Sequence, residues 1–216
     1  MKKLLLVGAL VCLMAPAAWA LTGTYGWEDC GTILSRYPLA DPSVLATNVT
    51  DNPHTGTHSL YLVRQATATT QAYVCWIKGL VTGDVVTVIF WAYDLNSGSG
   101  AYPSVRMWAH YANDTDVNSY VASASGPADY SGVPIGWGTI PNNGTPYTYT
   151  FSNATATALM IEIRSYAATP PGPEGIWVDD IEVTAPTRGG VSINFPAPGP
   201  SAVEPSTFGS IKALYR

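Results

Sequence analysis

The stretch Pro53-His-Thr-Gly-Thr-His-Ser-Leu-Tyr-Leu-Val63 sets a turn directly against a strand. Pro53 and Gly56 punctuate the chain, and Thr57 to Val63 then reads as extended. His54 and His58 are four apart in a turn, with no Cys and no third His beside them, which is poor zinc spacing. Working outward, the same turn-then-strand grammar recurs over Gln71–Leu80, Val85–Asp94, Ser104–Tyr111, Tyr147–Phe151, Thr157–Tyr166 and Ile176–Val183. No stretch of ten or more residues between Leu21 and Ala185 carries a helical apolar period. The expected fold class is all-β, an antiparallel β-sandwich with jelly-roll topology.

Two further stretches stand at the ends of this region, Tyr25-Gly-Trp-Glu-Asp29 and Ile176-Trp-Val-Asp-Asp-Ile-Glu-Val183. In this order the three resemble the galactose-binding-like jelly rolls, a superfamily that includes many carbohydrate-binding modules of secreted enzymes. Trp27-Glu28 stands for the aromatic-Glu pair of that pattern. His54 to Leu60 stands for its His-Ser-Gly-Lys-x-Ser-Leu element, with Thr57 in place of Lys, and Val178-Asp-Asp-Ile181 for its closing strand. The resemblance covers roughly residues 21–185. It implies one structural calcium, held by Glu28, by the carbonyls of Thr55 and Thr57, and by Asp179. Strict alternation puts Trp177, Asp179, Ile181 and Val183 on one face, where an Asp must be paired or coordinated, and calcium takes hard oxygen ligands. A register shift of one would put Asp180 in the place of Asp179.

Composition narrows the function. Met1 to Ala20 reads as a secretory signal peptide, with Lys2 and Lys3, an apolar run, and Ala18-Trp-Ala20 as cleavage site. The formal charge is −5, and removing Lys2 and Lys3 takes it to about −7. No basic cluster is present to neutralise phosphates, so nucleic acid is a poor partner. Seven Trp and thirteen Tyr, with few charges and abundant Thr, Ser, Asn and Gly, suggest an extracellular β-protein and suit surfaces that bind neutral ligands. Cys30 and Cys75 form an even pair after cleavage, which favours one disulfide closing a loop of about 45 residues. Two buried thiols are the other reading.

Alternation also nominates ligand residues. Ser104, Arg106, Trp108 and His110 share one face, Met160, Glu162, Arg164 and Tyr166 another, and Trp91 with Tyr93 a third. If these strands are neighbours, Trp91, Tyr93, Arg106, Trp108, Glu162, Arg164 and Tyr166 line one concave face, which the resemblance to carbohydrate-binding modules implies is the cleft for a poly- or oligosaccharide. Edge loops offer Tyr102, Tyr130 and Trp137. The plainer readings are that Trp91 and Trp108 are core, and that Arg106 pairs with Glu162 across strands. Asp179 and Asp180 are adjacent, so they are not the carboxylate pair of a glycosidase, and no Gly-x-Ser-x-Gly elbow occurs. The expected function is non-catalytic glycan binding outside the cell, with a structural or adhesive surface protein as the alternative.

Residues 186–206 are rich in Pro and Gly and read as a linker or surface strap. Residues 207–216 resemble a short terminal tag of secreted bacterial proteins, which implies sorting or attachment to the cell surface; a frayed tail or a segment docked on the domain is the plainer reading.

Overall fold

The computed structural model describes residues 20–37, 39, 44–64, 70–94, 105–127, 136–165 and 175–199. The signal-peptide reading, apart from Ala20, and the tail reading lie outside these residues, as do Tyr102, Tyr130 and Tyr166. No helix among the described residues is long and apolar enough to cross a membrane.

Two antiparallel sheets form the fold. In chain order the strands are β1 (Ala20–Tyr25), β2 (Ser35–Tyr37), β3 (Val44–Val49), β4 (Ser59–Arg64), β5 (Thr70–Lys78), β6 (Val85–Asp94), β7 (Val105–Ala112), β8 (Ala122–Ser123), β9 (Gly136–Ile140), β10 (Tyr147–Thr150), β11 (Ala158–Ser165), β12 (Ile176–Pro186) and β13 (Ser192–Asn194). The first sheet runs β10-β6-β12-β4-β3, with β1 beside β12 and β9 beside β6. The second runs β13-β5-β11-β7-β8, with β2 beside β5. The architecture is an all-β sandwich.

The core follows from period-two alternation. Leu60 and Leu62 of β4, Val86, Val88 and Phe90 of β6, and Ile176 and Val178 of β12 turn inward from the first sheet. Cys75 and Ile77 of β5, with Ala72 and Val74 before a register break that resets its alternation, Val105, Met107 and Ala109 of β7, and Leu159, Ile161 and Ile163 of β11 meet them from the second. Each such aliphatic side chain contributes about 1.5–3 kcal/mol by leaving water. The short β13 lies within the Pro/Gly-rich segment and pairs with β5, and Phe195 just after it stacks on Tyr25 at 5.2 Å.

The closing strand departs from simple alternation. A bulge interrupts the β12–β6 register between Asp179 and Glu182, and Asp180 sits there at φ 47°. The extra residue flips the faces: Ile176, Val178, Ile181 and Val183 are all core, while Trp177 and Asp179 point to the outside of the sheet. The expectation that Trp177, Asp179, Ile181 and Val183 share one face is corrected by this bulge.

The cysteines are also corrected. Cys30 and Cys75 are free thiols. Cys75 is fully buried on β5, whereas Cys30 lies in the loop after β1, with its Sγ 3.9 Å from His58 Nε2. The two therefore occupy different layers of the molecule.

Candidate functional site

The expected single ligand face is divided between the two outer surfaces of the sandwich. Trp91 and Tyr93 belong to β6 and lie outside the first sheet, with Trp137 of β9. Arg106 and Trp108 of β7, and Glu162 and Arg164 of β11, lie outside the second. Strands β6 and β7 follow one another in sequence but belong to different sheets, so their outward residues face opposite directions.

On the first sheet, register builds a row. Tyr61 of β4 stands opposite Trp177 of β12, Trp177 opposite Tyr93 of β6, and Tyr93 opposite Trp137 of β9. The successive ring centroids are 4.7, 5.6 and 5.7 Å apart, with the rings tilted by 40°, 85° and 62°. Four strands at the usual spacing make this row about 14 Å long. Trp91 lies next to it, covered by the His54 ring at 4.1 Å, and His54 also reaches Trp137 at 5.1 Å. Polar handles are fixed: Trp177 Nε1 donates to Asp51, and the Gly175 N–H donates to the Tyr61 hydroxyl. Trp177 is only 8% exposed, whereas Tyr61, Trp91, Tyr93 and Trp137 are half-buried. Sequence reading missed Tyr61, His54 and Trp177 as members. The signal for Tyr61 was present, since it alternates with the core residues Leu60 and Leu62; the signal for Trp177 was hidden by the bulge.

The turn at 53–58 holds the candidate calcium residues. Asp179 Oδ2 accepts the N–H groups of His54 (2.9 Å) and Thr55 (3.3 Å), and its Oδ1 accepts the N–H of Asp180. Asp180 accepts from the Thr55 hydroxyl and contacts His54 Nδ1 at 2.6 Å. Glu28 Oε1 accepts the N–H groups of Thr57 and His58, both at 2.9 Å, and Oε2 accepts the Thr57 hydroxyl. Gly56 is required here: at φ 61° a Cβ would lie 2.3 Å from Glu28 Oε1.

The two carboxylates differ in charge balance. Burial pushes Asp179 up to about 6, with neighbouring Asp180 adding to it against the amide hydrogen bonds. At Glu28 burial also acts upward, but the His58 and Thr57 hydrogen bonds outweigh it and hold the group at about 2. Asp179 is thus a desolvated carboxylate whose oxygens already accept three backbone N–H groups, whereas calcium takes oxygen ligands. Among the described residues no three His, Cys, Asp or Glu side chains gather to hold an ion, so backbone oxygens would have to complete the shell.

On the second sheet, Arg106 stands directly opposite Arg164, and Trp108 opposite Glu162. Both guanidiniums lie over the Trp108 ring, at 4.3 and 4.2 Å from its centroid. Glu162 does not pair with Arg106. Its Oε2 accepts from Arg164 Nε at 3.0 Å, and its Oε1 meets His110 Nδ1 at 2.5 Å, with Glu162 and His110 both wholly buried.

No family profile matches the sequence, and no curated protein matches it. Solved structures that do resemble it in fold include the CBM22-1 xylan-binding domain of Paenibacillus barcinonensis Xyn10C, at TM-score 0.42 and 12% identity, covering 76% of this chain and 94% of that one. Another is the CBM22-1-GH10 portion of Clostridium thermocellum xylanase 10B complexed with xylohexaose, at TM-score 0.42 and 14% identity over 79% of this chain and 28% of that one. A third is the K2 adhesin domain of Lys-gingipain, at TM-score 0.38 and 13% identity, covering 76% of this chain and 99% of that one. These are similarities of weak degree, and the two sheets themselves carry the fold assignment.

Proposed function

We propose that the protein is a non-catalytic, exported carbohydrate-binding protein that takes a neutral poly- or oligosaccharide on the outer face of its first sheet. The observation that carries this reading is the cross-strand row Tyr61, Trp177, Tyr93 and Trp137, flanked by Trp91 under His54. Sugar rings present C–H faces that pack on aromatic carbon. With Trp177 Nε1 and the Tyr61 hydroxyl engaged by Asp51 and Gly175, the Tyr93 hydroxyl and Trp137 Nε1 would supply the polar contacts, as amphipathic aromatics do at binding surfaces. The rings are anchored on strands and not on loops, which keeps their spacing constant. Calcium at Asp179 and Glu28 would be structural: it would neutralise Asp179 and hold the turn that carries His54 onto Trp91.

Affinity electrophoresis of the protein and a Trp137→Ala variant on xylan, β-glucan and mannan gels tests this. The expected result is retardation of the wild type by at least one of these polymers and its loss in the variant, with the circular dichroism spectrum unchanged. Equal mobility of both proteins on every gel would overturn the reading and favour a protein partner for the aromatic row, the structural or adhesive role.

A further inference from the structure

We infer that the outer face of the second sheet is a separate binding site for an anionic polysaccharide, one bearing carboxylate or sulfate groups, with Arg106 and Arg164 as its anion fork. The site lies on the opposite side of the sandwich from the aromatic row and does not depend on that row binding sugar.

The first ground is the pairing itself. Arg106 and Arg164 are directly opposite on β7 and β11. Like charges in that relation repel across a sheet; the Trp108 ring beneath both and the single carboxylate on Arg164 hold them together, and no carboxylate among the described residues pairs with Arg106. The second is proton counting. His110 Nε2 lies 3.1 Å from the Ser119 carbonyl, an acceptor, so Nε2 carries a hydrogen. The short His110 Nδ1–Glu162 Oε1 contact of 2.5 Å then needs one more proton between its two atoms. On either atom, that proton leaves the His110–Glu162 pair with no net charge. Glu162 therefore orients Arg164 through Nε but does not neutralise the two guanidiniums.

The third ground is what these guanidiniums leave unused. Arg106 donates its Nε to the Pro127 carbonyl at 3.2 Å, and Arg164 donates its Nε to Glu162. Among the described residues, no protein acceptor takes an Nη hydrogen of either arginine. The Arg164 side chain is only 13% exposed, so these donors are recessed, yet they are not among the buried side-chain atoms left without a hydrogen bond, which among the described residues are Trp76 Nε1 and Tyr149 Oη. Guanidinium Nη pairs form planar, bidentate bonds to carboxylate or sulfate. Trp108, with both guanidiniums over it, fixes their planes and is not an open stacking surface.

A polymer, not a free ion, fits the length of the face. Tyr120 is 61% exposed and packs on the His110 ring at 5.2 Å. Along β7, His110 lies about 13 Å from Arg106. An anionic unit in the fork and a neighbouring sugar ring on Tyr120 would be parts of one chain. The protein's formal charge of −5 repels polyanions in general, so retention by one requires a local site.

The test is affinity electrophoresis and calorimetry of the full chain on polygalacturonate and on dextran sulfate, with sodium sulfate as the free-ion arm. Arg106→Gln removes one guanidinium, and Arg164→Lys keeps the charge but not the fork. Binding to at least one polymer is expected, weakening with salt, and falling about 10-fold or more in each variant. Arg106→Gln should leave retention on neutral polysaccharide unchanged. Wild-type indifference to both polymers would overturn the proposal. So would equal binding by a folded Arg106→Gln protein. Sodium sulfate binding as tightly as the polymers would mean an adventitious ion only.

Discussion

The imidazole of His54 stacks on the indole of Trp91, with ring centroids 4.1 Å apart and planes 18° from parallel. The contact ties the turn before β4 to the outer face of β6. His54 Nδ1 also meets Asp180 Oδ2 at 2.6 Å, so the same side chain clamps the β12 bulge. His54→Ala removes both contacts. It should cost about 1–2 kcal/mol in urea unfolding and shift tryptophan emission to the red as Trp91 is uncovered. An unchanged midpoint and unchanged emission would show that the stack contributes nothing.

Calcium should raise the melting temperature. For an extracellular-type site of millimolar or tighter affinity, 10 mM calcium against EDTA should add about 3–8 °C. Asp179→Asn should remove most of that gain, because the buried carboxylate whose charge a bound ion would neutralise is gone. Identical melts in calcium and EDTA would refute the ion.

Asp84 predicts an acid limb. Its partial burial acts upward, but the Arg188 guanidinium and the Val81 N–H overcome this and hold the carboxyl below its ordinary value. A folded-state value below the unfolded one means that the stabilisation is complete above about pH 4 and is lost as pH falls through the folded value. Asp84→Asn should cost about 1 kcal/mol at pH 7, since Arg188 is partly exposed and screened. It should also flatten the loss of stability below pH 4. Parallel pH profiles for both proteins would contradict the assignment.

The thiols should count as two. In protein produced from residue 21 onward, a thiol reagent should modify Cys30 in the native state and Cys75 only on unfolding. Cys75 is 0% exposed, and burial pushes its thiol well above the ordinary range. Alkylation in denaturant without reductant should add two labels by intact mass. No labels would indicate the disulfide that the structure lacks.

Much of the local pattern was legible beforehand. The grouping of Arg106, Trp108 and His110 on one face of β7 follows from alternation, as does the sharing of one face by Trp91 and Tyr93. The strand at Val85–Asp94 was found at its full extent. Shorter strands escaped: β9 and β13 lie in stretches whose Gly and Pro content reads as loop, and they are extended because a long strand, β6 or β5, offers them an edge to pair with.

The sequence by itself determined the all-β class, the turn at residues 53–58 and, strand by strand, which side chains point together, because those depend on turn chemistry and on a period of two along the chain. Only the tertiary structure decided which faces coincide. Trp91 and Arg106 are outward on β6 and β7 but look away from each other, since the chain changes sheet between those strands. Trp177 joined Tyr61, Tyr93 and Trp137 because one extra residue in β12 reset its alternation. Cys30 and Cys75 remained apart because the loop after β1 and the core face of β5 are different layers. Sheet membership, bulges and layer assignment arise from pairing between distant segments, and a local period carries no record of them.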